Sequence, residues 1–91
     1  MNPVERESLR ESLIRFLGSN PADSGTAEGL LVQLARAEGR AGLAFAEVRA
    51  ELVYLEDKGL VKQPIRLLSP ENRWWRLTAE GRDFAAERGL A

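Results

Sequence analysis

Lys62, Arg66, Arg73 and Arg76 fall between Gly59 and Thr78, a segment whose only acid is Glu71 and which also holds the adjacent pair Trp74-Trp75. Cations spaced along an extended chain can meet phosphate oxygens, and an indole beside them can stack on a sugar or base. This segment therefore has the residue types for nucleic-acid contact. Arg40 and Arg49 precede it and add guanidiniums suited to phosphate or to a guanine edge. Two other uses of the same residues stay open. Charges on a hairpin keep a sheet edge soluble, and Trp74 can pack along its own hairpin or anchor a protein contact.

The stretch just before this segment has the opposite sign. Between Leu43 and Lys58, the acids Glu47, Glu51, Glu56 and Asp57 outnumber the bases Arg49 and Lys58. Projected on a helix, Glu47 and Glu51 point outward, where they would face phosphate charge. Ala46, Ala50, Val53 and Tyr54 make an amphipathic surface fringed by those carboxylates. Small and aromatic residues let a partner approach closely, and flanking acids select a basic one. Glu47, Ala50, Glu51, Val53 and Tyr54 are therefore candidates for a protein contact, as an alternative to DNA.

Composition narrows the chemistry. The chain of 91 residues has no cysteine and no histidine, which removes thiol nucleophiles, thiolate zinc sites and the histidine relays of hydrolases. The expectation is a protein that is not an enzyme and has no cofactor or metal. Glu5, Glu7 and Glu11 alternate with Arg6 and Arg10, a pattern of a solvated, salt-bridged helix face. With a formal net charge of -1, any binding to nucleic acid must be local and not by bulk charge. The uncharged runs are too short for a membrane span, and the opening Met-Asn-Pro-Val-Glu-Arg-Glu does not resemble a secretory signal. A cytoplasmic protein is expected.

These residues have to be positioned by a short series of elements in one domain spanning 1–91. Asn2, Pro3 and Glu5 predict a helix start, and Leu9, Leu13, Phe16 and Leu17 give it an apolar stripe to Leu17, with Arg6, Arg10 and Glu11 outward and Gly18 as its left-handed stop. Thr26 is the expected cap of a second helix through Glu38, with Leu30, Leu31 and Leu34 buried and Gly39 ending it. A third helix is predicted from about Ala44 to Lys58, burying Phe45, Val48, Leu52 and Leu55. Gly59 closes it. Extended chain follows: LVKQPIRLL, a polar turn, then RWWRLT, two strands of a hairpin in which Trp75 and Leu77 share the buried face. Pro64 marks its strand as edge or bulged. Thr78 caps a last helix to about Arg88, with Phe84 reaching the core and Gly81 allowing close approach to the hairpin.

The segment from Val48 to Val61, VRAELVYLEDKGLV, resembles the recognition helix and first wing strand of the winged helix-turn-helix superfamily. Trp75 to Gly81, WRLTAEG, is similar to its second wing strand and following helix start. The resemblance covers roughly Arg6 to Ala86. Glu28-Gly29-Leu30-Leu31 together with RAELVYLEDKGLV also resembles the small winged-helix proteins of Mu-like prophages, which are labelled regulators by analogy with arsenical-resistance-type repressors. The resemblance implies an α+β fold: a three-helix winged helix-turn-helix with a two-stranded wing and a short C-terminal helix. It further implies a DNA-binding transcriptional regulator of phage or bacterial origin, with duplex DNA as partner and self-association possible. Arg40, Arg49, Lys62, Arg66, Arg73, Trp74 and Arg76 are the expected DNA contacts.

Overall fold

The computed structural model describes residues 1–20, 24–64 and 72–90. In chain order the elements are α1 (Pro3–Ser19), β1 (Thr26–Ala27), α2 (Glu28–Ala37), α3 (Phe45–Asp57), β2 (Val61–Lys62), β3 (Trp74–Leu77) and α4 (Ala79–Glu87). The described residues thus form an α+β fold of four helices and one three-stranded antiparallel sheet, in the order β1-β3-β2.

Local chemistry explains the helix starts. The Asn2 side chain accepts from Glu5 N at 2.8 Å, with Pro3 in the first turn. Thr78 accepts from Gly81 N at 3.0 Å, so both caps are as the sequence predicts. Gly39 and Gly59 stand at positive φ just beyond α2 and α3 and end them, as expected. Gly18 does not act as a stop. It lies inside α1, which runs on to Ser19 and is closed by Asn20.

Thr26 is not a helix cap. It pairs with Trp75, and Ala27 pairs with Trp74, so a strand occupies the positions where a helix start was expected and the wing hairpin gains a third strand. The opening of α2 is instead satisfied from far along the chain. Glu28 N donates to the Arg73 carbonyl at 2.8 Å, and Gly29 N donates to Asn72 Oδ1 at 3.0 Å. This arrangement also sets the helix rotation. The inward stripe of α2 starts at Glu28 and continues through Leu31, Val32 and Ala35, the steps of three, four and seven that share one helix face. Leu30 is consequently exposed and Leu34 only half-buried.

The core joins Leu9, Leu13, Ile14 and Leu17 of α1 to Val48, Leu52 and Leu55 of α3, with Leu31, Val32, Val61, Trp75, Leu77 and Ala85 around them. Phe45, expected inside, is exposed at the first position of α3, where its ring lies beside the Arg49 guanidinium at 5.6 Å. Phe84 packs against the core from α4. In β3, Trp75 and Leu77 are buried while Trp74 and Arg76 alternate outward, the predicted period of two.

One buried polar atom stands out. Thr26 Oγ1 is buried and has no hydrogen-bond partner. An unmet buried hydroxyl costs on the order of 1–3 kcal/mol, and valine has the same shape with a strand preference at least as strong. Thr26→Val is expected to stabilise the fold by about 1 kcal/mol. The check is urea unfolding, where the midpoint should rise with an unchanged slope.

Candidate nucleic-acid interface

The sheet has a core face and an outer face, assigned by register. Thr26 opposite Trp75 and Val61 opposite Leu77 occupy the core face; Ala27 opposite Trp74 and Lys62 opposite Arg76 occupy the outer one. The outer face therefore joins an indole to two cations. Among the described strand residues there is no acid. Arg73, half-buried, directly precedes β3, at the end of the strand away from Arg76 and Lys62. Arg66 lies outside the described residues.

Arg40 and Arg49, both sequence-predicted cations, are held by side chains away from the sheet. Arg40 donates to Ser8 Oγ at 2.9 Å and to Ser12 Oγ at 3.3 Å, and pairs with Glu38 at 3.2 Å. Arg15 completes this cluster by pairing with the same carboxylate. Burial works against the charge on Glu38, but the Ser12 hydroxyl, Arg40 and Arg15 outweigh it and hold the carboxyl below its ordinary range. Arg40 is thereby a tie between α1 and the α2–α3 turn.

Arg49 is tied more deeply. Its Nε donates to Glu28 Oε2 at 2.9 Å, and a terminal guanidinium nitrogen lies 2.6 Å from the same oxygen. The other oxygen, Glu28 Oε1, accepts from Trp75 Nε1 at 2.9 Å. Glu28 is fully buried. One carboxylate thus joins the start of α2, the middle of α3 and the central strand.

The acids of α3 do not lie as the projection predicted. Glu51 is 7% exposed and accepts from Arg10 Nε of α1 at 2.6 Å. Arg10, expected outward, is half-buried and also stacks 3.7 Å above the Tyr54 ring. Glu47 accepts from the backbone of Ala44 at 2.9 Å, closing the first turn of its own helix. Both carboxylates are drawn to the α1 side. What remains on the outer ridge of α3 is Ala46 and Ala50, exposed, with Val53 half-buried and Tyr54 at the border toward α1. The projection failed because it weighed apolar residues alone, and an arginine on another helix reverses the orientation of an acid.

Sequence reasoning missed Glu28 and Arg10 as organisers of this region. A signal for Glu28 was present, since it heads the inward stripe of α2; none existed for Arg10, whose partner is 41 residues away. No family model, curated protein or solved structure matches the chain. Among the described residues, no group of histidine, cysteine, aspartate or glutamate is arranged to hold a metal ion. No described helix is long and apolar enough to cross a membrane.

Proposed function

We propose that this protein is a winged helix-turn-helix type DNA-binding regulator that holds duplex DNA mainly by phosphate contacts from the sheet, with the start of α3 set against the groove. The observation that carries this reading is the outer sheet face, where Lys62 stands opposite Arg76 beside Trp74 and the described strand residues include no acid. The strand-helix order, with a short strand before α2 and two after α3, supports the winged-helix assignment. Glu47 and Glu51 lie toward α1, which weakens the electrostatic objection to α3 entering a groove. Base selection would be weak. The exposed ridge of α3 is alanine-rich, and the Arg49 guanidinium is bound to Glu28, whereas direct readout depends on donors and acceptors reaching base edges.

Fluorescence anisotropy of a labelled duplex tests this. Lys62→Ala, Arg73→Ala and Arg76→Ala should each weaken binding several-fold at low salt. The logarithmic salt slope should be near -3, as about three neutralised phosphates require, and should fall by roughly one unit per variant. Absence of wild-type binding at low salt would reject the proposal.

A second reading has one observation in its favour. The ridge of Ala46, Ala50 and Val53 suits close approach by a protein surface. With Glu51 buried and Glu47 engaged in the helix start, that partner would be apolar where it meets the ridge, and not selected by basic charge.

A further inference from the structure

We propose that the groove between α1, the end of α3 and α4 binds a small amphipathic anion, a medium-chain monocarboxylate. This goes beyond the DNA-binding reading and does not rest on it. α1 packs against both α3 and α4, and residues of all three helices line a groove of about 320 Å3. Its lining is largely apolar. Ile14 and Leu55, almost wholly buried, belong to it, together with half-buried Leu60 and Phe84. The volume is within the range of ligand pockets and holds about ten water-sized groups at ~30 Å3 each, which matches the non-hydrogen atoms of octanoate.

The charges around the groove decide the class of ligand. Arg10 and Glu7, both in the lining, are 3.6 Å apart, and Arg10 is also bound to Glu51, so this arginine is compensated within the protein. Lys58 and Arg88 differ. They are exposed lining residues at the C-caps of α3 and α4, and among the described residues neither has a carboxylate partner. Aromatic rings keep both beside the groove. Lys58 Nζ lies 5.7 Å from the centre of the Tyr54 ring, and the Arg88 guanidinium 4.8 Å from that of Phe84. Of the lining acids only Glu11 is likewise unpaired among the described residues, so the uncompensated charge is two cations against one carboxylate. An alkyl chain laid on the apolar lining, with its carboxylate hydrated at the rim beside Lys58 and Arg88, meets both halves of this site. An amine with the same chain would face like charge.

Heteronuclear NMR of the isotope-labelled protein, titrated with octanoate, reads both affinity and place. Octanoate should shift the amides bordering the groove saturably and bind about ten-fold more tightly than hexanoate, since each of two buried methylenes contributes roughly three- to four-fold. Octylamine should bind about ten-fold more weakly than octanoate. Lys58→Ala and Arg88→Ala should each weaken octanoate about two- to five-fold, the worth of an exposed ion pair, with the melting temperature unchanged. Glu11→Gln should tighten it about two-fold, a gain that damage to the fold cannot produce. Lys62→Ala, on the sheet, should leave octanoate binding unaltered. Equal affinity for octylamine, indifference to chain length, or octanoate binding untouched when Lys58→Ala and Arg88→Ala are combined would each overturn the inference. Shifts of the same amides on raising protein concentration alone would assign the groove to a second copy of the chain and overturn it as well.

Discussion

Glu28→Ala is expected to lower the free energy of unfolding by about 3–5 kcal/mol, the range for breaking a buried ion pair by removing one partner. The carboxylate is fully buried and bridges Arg49 and Trp75 through separate oxygens. Its loss leaves the Trp75 Nε1 donor unmet in the interior and takes the buried charge away from Arg49. A domain of this size has on the order of 5–15 kcal/mol in total, so a large part of the stability would go. Glu28→Gln separates the contributions. An amide oxygen can still accept from the indole, but the NH2 that replaces Oε2 faces the Arg49 donors, so the charge and the Arg49 bonds are lost while the Trp75 bond is kept, and the cost should be smaller than for Glu28→Ala. Chemical denaturation followed by tryptophan fluorescence checks both, and a Glu28→Ala variant as stable as wild type would show that the bridge contributes little. The functional consequence follows from what the bridge joins. Trp75 is the buried neighbour of Trp74 on β3, and Arg49 is on α3, so this carboxylate sets the sheet against the helix that stands beside it.

Gly81→Ala is the second large effect. A Cβ at this position would lie 2.0 Å from the Leu60 carbonyl oxygen and 3.2 Å from a Leu77 methyl. The carbonyl cannot easily move, because it accepts from Thr78 N at 3.0 Å while Thr78 Oγ1 donates to the Gly59 carbonyl at 2.6 Å. The start of α4 is thereby clamped to the chain leaving α3. Overpacking of this kind costs typically 1–3 kcal/mol and here about 3 kcal/mol, since backbone and not a flexible side chain is in the way. Gly42→Ala is the control. No atom lies within 4 Å of a Cβ there, and its φ is not in the left-handed region, so that variant should be neutral or slightly stabilising. Thermal unfolding of the two variants should differ by several degrees in opposite directions from wild type, or with Gly42→Ala unchanged; equal melting temperatures would contradict the close contact.

Much of the scaffold was legible before any coordinates. The caps at Asn2 and Thr78, the stops at Gly39 and Gly59, and the alternation of Trp74 to Leu77 are local effects, decided by hydrogen bonding and sterics within a few residues. So was the concentration of cations around β3, since charge is counted from composition. β1 was not legible. A strand of two residues has no periodicity to read, and it exists because Trp74 and Trp75 arrive beside it from a distant part of the chain. The same holds for the roles of the charged residues. Arg40, Arg49, Glu47 and Glu51 are all plausible surface groups by residue type, yet three of them are held by side chains that lie in other elements. Amphipathic projection sorts residues by hydropathy, and a paired carboxylate can be buried where an unpaired one cannot. The amino-acid order determined which segments become helices and where the positive charge gathers. Only the tertiary structure decided which charges remain on the surface to meet a ligand, because pairing energy depends on distances between residues far apart in the chain.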